Sequence, residues 1–139
     1  EVIDTTDSEW QALFDINLTS TFLVCRPVLP KMRSKKSGQI INIASRAGRR
    51  GEGAFAAYCA MKHGLIGLTR ALADSEANFG ITVNAICPGP VATDRMLQTY
   101  SENPHTDWVT PQEIAEAVLF LLSDTGKRMN GQCLDLFAK

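Results

Sequence analysis

The spacing of two short apolar runs constrains this chain more than any other feature. Gln39-Ile40-Ile41-Asn42-Ile43-Ala44 and Ile81-Thr82-Val83-Asn84-Ala85-Ile86-Cys87 are β-branched and almost continuously apolar, the pattern of parallel strands covered on both faces. Between them, Tyr58 to about Phe79 is dominated by Ala, Leu and Met, with Gly80 placed as its stop, which predicts a helix. Strands joined by helices in this way imply right-handed parallel crossovers. The rest of the chain continues the alternation. Thr6-Asp7-Ser8-Glu9 matches a capping box, so a helix is expected from near Ser8 to about Met32. Trp10, Leu13, Phe14, Leu18, Phe22 and Val24 or Cys25 give it one broad apolar face, while Pro27 and Pro30 predict a bend or early termination. Thr110-Pro111-Gln112-Glu113 is a second capping box, opening a helix to about Ser123, and Cys133 to Phe137 reads as a last strand. The stretch from Thr93 to Trp108 reads as a short polar helix or loop. The expected architecture is one α/β domain: an open three-layer sheet of mainly parallel strands with helices on both faces.

Composition narrows the function classes. The 139 residues carry 14 Lys plus Arg against 15 Asp plus Glu, which lacks the basic excess that phosphate-backbone binding requires. Nucleic acid is not an expected partner. Cys25, Cys59, Cys87 and Cys133 form no CxxC pair, and His63 and His105 stand apart from each other, so no metal site is expected. The cysteines read as reduced thiols of a cytoplasmic protein. No run of about 18 consecutive apolar residues occurs, and no membrane segment is expected. The chain opens on Glu1 without an initiator Met, which predicts processing or truncation upstream.

In open α/β sheets, ligands sit beyond the carboxyl ends of the strands. That rule draws attention to Ser45 after the first strand and to Pro88-Gly89-Pro90-Val91-Ala92-Thr93 after the second. The helix entering the same crevice carries Tyr58 and Lys62, four residues apart and hence on one face. A phenol is a poor acid at neutral pH, but a neighbouring ammonium stabilises the phenolate and brings it toward the working range. Each residue also has an ordinary structural role open to it. Tyr58 and Lys62 suit a helix surface, Asn17 suits freed backbone groups at a helix irregularity, Ser45 suits a turn cap, and Thr93 suits a helix start. Asn42 and Asn84 read as structural, and His63 points away from Tyr58. Arg46, Arg49 and Arg50 read as a solvated loop, with an anionic substrate at the crevice mouth as the other reading.

Taken together, Asn17 in Ile-Asn-Leu-Thr, Asn42-Ile43-Ala44-Ser45, Tyr58-Cys59-Ala60-Met61-Lys62 and Pro88 to Thr93 closely resemble the classical short-chain dehydrogenase/reductase family. The resemblance implies a partial Rossmann-like fold in which residues 1–139 are the C-terminal catalytic and substrate half. It implies NAD or NADP as cofactor, a small carbonyl or alcohol substrate, and a homodimer or homotetramer. By the same resemblance Tyr58 is the general acid/base, Lys62 lowers its pKa and binds the nicotinamide ribose, Ser45 polarises the carbonyl, and Asn17 holds a relay water. Pro88, Gly89, Val91 and Thr93 would contact the cofactor, Val91 and Thr93 at its carboxamide or phosphates. The family's glycine-rich TGxxxGxG turn does not occur in the sequence; Gly48-Arg49-Arg50-Gly51-Glu52-Gly53 follows the serine strand and is not read as its equivalent. The segment from Thr93 to Thr110 is short for a substrate lid, and Ile40 to Ala44 is expected to form an apolar sheet edge. The other reading is a non-catalytic oligomerisation or scaffold module, with Leu65, Leu68 and Leu72 as a partner face.

Overall fold

The computed structural model describes residues 1–102 and 107–137; His105 lies outside them. Three parallel strands, β1 (Gly38–Ile43), β2 (Ile81–Pro88) and β3 (Cys133–Leu136), pair in the order β1-β2-β3. Gly38 lies opposite Ile81 and Ala85 opposite Cys133. The helices are α1 (Asp7–Phe14), α2 (Ser20–Lys35), α3 (Ala56–Glu76), α4 (Asp94–Thr99) and α5 (Pro111–Leu122).

Both capping boxes form. The Thr6 amide donates to Glu9 at 2.8 Å and the Glu9 amide to Thr6 Oγ1 at 3.2 Å; Thr110 and Glu113 repeat the exchange at 2.7 and 3.2 Å. Between α1 and α2 the helix widens into one π-helical stretch, Asp15–Thr19, so that 7–35 is continuous. Pro27 and Pro30 therefore do not end it. Leu29 and Met32 pack against the buried cluster of Ala73, Ile81 and Val83, and Lys36 closes the helix in the left-handed region, φ 49°. Tertiary contacts beyond the prolines hold the last turns.

The apolar face expected of this helix is buried only in part. Cys25 is buried and Leu18 packs on the core, but Trp10, Phe14, Phe22 and Val24 (65% exposed) face outward, as do Ile16 (72%) and Leu23 outside that face. By length and composition alone, Asp7–Lys35 is apolar enough to cross a membrane, although no run of 18 consecutive apolar residues occurs; a core helix of a soluble protein passes the same test.

The core lies between the sheet and α3. Ala44, Ala85 and Cys87 meet Leu65 and Ile66, and Ile81 and Val83 meet Ala73. Leu65, at 3% exposure, belongs to this core and not to a partner face. Ile40 and Asn42 on β1, and Ala44 just after it, point toward α3; the Asn42 amide donates to Thr69 Oγ1 at 2.9 Å. By strand alternation Gln39 points the other way, where its amide donates to the Leu121 carbonyl of α5 at 2.9 Å. So α3 and α5 cover opposite faces. Because β1, β2 and β3 are parallel and step in one direction, the two crossovers have opposite hands. The expectation that both are right-handed is corrected here: it holds for at most one of them.

Asn84 is structural, as expected. Its amide donates to the Met129 carbonyl at 2.8 Å and its oxygen accepts from the Gln132 amide at 2.9 Å, fixing the approach to β3. Gly80 closes α3's terminal turn at φ 68°, where a Cβ would stand 2.5 Å from the Lys36 carbonyl oxygen. Only glycine fits that crossing without strain.

One ion pair ties α2 to α3. Arg33 donates through Nε and Nη2 to both oxygens of the buried Glu76, at 2.7 and 2.6 Å, and lies 4.6 Å from the Phe79 ring centroid. The bond to Arg33 holds the Glu76 pKa below the usual glutamate range, with a smaller contribution from Ser75. A carboxyl depressed in the folded state stabilises it above the unfolded pKa and stops doing so as pH falls through the folded one. Arg33→Ala leaves the Glu76 carboxylate without its cation, so its Tm should fall at pH 7. Protonation then relieves the buried charge, and the gap from wild type should narrow at about pH 4. Melting curves at both pH values check this; a variant that melts with wild type at pH 7 refutes it.

Candidate functional site

The strand ends assemble the site. Ser45 follows β1 in extended backbone, and its Oγ accepts the Ala47 amide at 3.1 Å. The turn after it is pressed onto α3: a Cβ on Gly48 would stand 2.7 Å from the Lys62 carbonyl oxygen. This close approach sets the Ser45 loop against the helix that carries Tyr58 and Lys62. Tyr58 lies in the first turn of α3 and Lys62 one turn later. The Lys62 ammonium is 5.5 Å from the Tyr58 ring centroid and donates to the Ile43 carbonyl at 3.2 Å, tying helix to strand end. Burial pushes the Lys62 pKa down. Among the described residues no group hydrogen-bonds the Tyr58 hydroxyl.

β2 supplies the other side. The Gly89 amide donates to the Leu136 carbonyl at 3.1 Å, and Val91 bridges to Val109, with Ala92 donating to Val109 and Val109 to Pro90. Thr93 caps α4, its Oγ1 accepting from Met96 at 3.4 Å. Ser45, Tyr58, Gly89, Val91 and Thr93 line one cleft of about 500 Å³. Tyr58 and Thr93 also face a second cleft of about 600 Å³ beside Leu13 and Phe55. Pro88 is buried and lines neither cleft, and the half-buried Lys62 and Asn17 line neither. Asn17 sits in the π-helical stretch, and its Nδ2 donates to the Leu13 carbonyl at 3.0 Å. An irregular helix frees such a carbonyl, and π-helical turns frequently mark functional positions.

Three arginines differ from expectation. Arg46 and Arg50 both pair with Glu52, at 3.0 and 3.4 Å, and Arg49 pairs with Asp135 at 2.9 Å. The loop returns Glu52 to them, so they are ion-paired and not simply solvated. Arg46 lines the cleft, at the crevice where the sequence left it a place, and so do Glu52, Met96, Tyr100 and Trp108. The sequence alone did not single out these last four; the aromatic residues in a polar loop were the available signal. His63 bonds the Cys59 carbonyl through Nδ1 at 2.9 Å, away from the cleft.

The family model described as enoyl-(acyl carrier protein) reductase matches residues 1–136. The chain is 41% identical to a short-chain dehydrogenase/reductase, olcF, of Penicillium canescens, over 95% of this chain and 60% of the relative. It is 40% identical to an acetoacetyl-CoA reductase of Paracoccus denitrificans, over 91% of this chain and 56% of the relative. A solved 4-hydroxyisoleucine dehydrogenase mutant, complexed with NADH and succinate, superposes with a TM-score of 0.89 at 31% identity, covering 97% of this chain and 60% of that one. The chain thus spans little more than half the length of these relatives.

Proposed function

The chain belongs to the short-chain dehydrogenase/reductase family, and from that premise we propose that it carries the proton-transfer and substrate half of an NAD(P)-dependent oxidoreductase interconverting a carbonyl and an alcohol. The observation that carries the reading is the cleft in which Ser45 and a Tyr58 hydroxyl without a hydrogen-bond partner among the described residues lie together, with the Lys62 ammonium one helical turn from the phenol. The residues also suit the nicotinamide end of the cofactor. Among the described residues the Lys62 ammonium has one acceptor, the Ile43 carbonyl, which leaves donors for ribose hydroxyls. Val91 and Thr93, beside Gly89, would hold the nicotinamide end.

The chemistry of each side chain then follows. Tyr58 gives its proton to the carbonyl oxygen in reduction and takes it back in oxidation. Ser45 Oγ accepts from Ala47, so its own proton is free to stabilise the developing oxyanion. Lys62 lowers the cost of the phenolate that Tyr58 becomes. Asn17 commits Nδ2 to Leu13, leaving Oδ1 to accept from a relay water. When bound, the cofactor supplies or takes the hydride.

The test supplies the purified protein with NADH or NADPH and a panel of neutral ketones and follows loss of the reduced nicotinamide. Turnover with either cofactor supports the reading; no turnover and no change in nicotinamide fluorescence with either removes it. The reading extends to a cytoplasmic homodimer or homotetramer. The outward apolar side chains of α2, Phe22, Leu23 and Val24, favour self-association, and they equally favour the second reading, a non-catalytic oligomerisation module. A self-associated protein that never alters nicotinamide fluorescence would select that second reading.

A further inference from the structure

We infer that Met96, Tyr100 and Trp108 form an apolar subsite that selects neutral ketones or secondary alcohols bearing a cyclic or branched hydrocarbon group, and that it disfavours keto acids. The inference rests on the oxidoreductase reading for the identity of the reacting group, and on separate observations for the selectivity. Ser45 and Tyr58 make the polar wall of the cleft and offer hydroxyls to an oxygen. The same cleft is lined by residues of α4 and of the segments that the Val91–Val109 bridge joins. There Tyr100 and Trp108 pack edge to face, with centroids 5.9 Å apart and planes at 79°, and Met96 lies beside them on the cleft. A substrate held by its oxygen at the polar wall therefore presents its substituent to sulfur and aromatic carbon. Burying hydrocarbon there is favourable, and a thioether adapts to irregular shapes.

The charges point the same way. Among the described residues the charged side chains lining the cleft are Arg46 and Glu52, and they are paired with each other at 3.0 Å. Arg50 adds a second cation to Glu52 from outside the lining, at 3.4 Å. An incoming carboxylate would meet an Arg46 charge already paired with Glu52 and would stand beside that second carboxylate, so it recovers less of the hydration it loses. A neutral carbonyl avoids that cost. The cleft's volume of about 500 Å³ is within the range of small-molecule sites.

The test measures binding to the purified protein by isothermal calorimetry, with cyclohexyl methyl ketone and pyruvate as probes. In a Trp10→Phe background, Trp108 is the one remaining tryptophan and its emission reports occupancy. The ketone should shift that emission and bind at least about tenfold more tightly than pyruvate. Met96→Ser and Trp108→Ala should each weaken the ketone by about tenfold, the scale of lost apolar pocket contacts, with circular dichroism unchanged. Glu52→Gln should narrow the preference by releasing Arg46 toward pyruvate. Met96 is on the short α4, so its variant stays informative even if Trp108→Ala misfolds. Pyruvate binding as tightly as the ketone, or ketone affinity unmoved by Met96→Ser, overturns the subsite. If the ketone binds in the expected pattern and is never reduced, the subsite stands and the oxidoreductase reading falls; if it is reduced with affinity indifferent to these residues, the reverse holds.

Discussion

Tyr58→Phe is expected to reduce turnover by about a thousandfold or more, within the range that loss of a positioned general acid produces, while leaving the fold intact. The reasoning is local. Among the described residues the Tyr58 hydroxyl takes part in no hydrogen bond, so deleting it leaves no buried partner unsatisfied, and the change in stability should stay within about 0.5 kcal/mol. The ring remains in place to face the Lys62 ammonium. Steady-state kinetics with NADH and NADPH, paired with thermal melts, check the prediction. Because ring and cleft shape are kept, KM for a neutral ketone should change little while kcat collapses, as expected when an interaction made in the transition state is removed. A variant that turns over like wild type would transfer the proton role to another group.

The largest stability effect is expected at a glycine remote from the site. Gly126 is buried just after α5, and a Cβ there would collide with the Phe120 carbonyl oxygen and come within 2.5 Å of Leu121 Cα and its carbonyl oxygen. All three are backbone atoms, so no side-chain rotation relieves the clash. Leu121 is fully buried, and its carbonyl accepts the Gln39 amide that joins α5 to β1. Gly126→Ala should therefore cost about 3 kcal/mol or more, at the upper end of overpacking effects. Gly51→Ala is the control: a Cβ there meets nothing within 4 Å. Denaturant midpoints for the two variants should separate widely, and coincident midpoints would show that α5 shifts without cost.

The sequence made the strands, both capping boxes and the stop at Gly80 legible because each rests on local chemistry: β-branching, a reciprocal side-chain-to-amide exchange, and a left-handed residue. Grouping of Ser45, Tyr58, Gly89, Val91 and Thr93 around one cleft was likewise readable, since strand ends and helix starts converge there by topology. What stayed hidden depends on contacts distant in sequence. Pro27 and Pro30 lie within a helix because Leu29, Met32 and Arg33 anchor its end to β2 and α3. The opposite hands of the two crossovers follow from α5 docking under Gln39, and nothing in α5's own residues encodes that. The cleft's aromatic wall depends on the Val91–Val109 bridge, a single pairing without a periodic signature.

The order β1-β2-β3 also has a kinetic consequence. Each pairing brings together segments roughly forty to fifty residues apart, and closing such long loops must precede any reward from the sheet, which slows folding. β2 is shared by both pairings and almost wholly buried, so it stays exposed until both partners arrive. Refolding should be slower than the helix content suggests, with helical signal recovered before the sheet is complete. During that delay the Ile81–Cys87 run is the segment most open to pairing with another chain, and a yield that falls with protein concentration is the signature to look for.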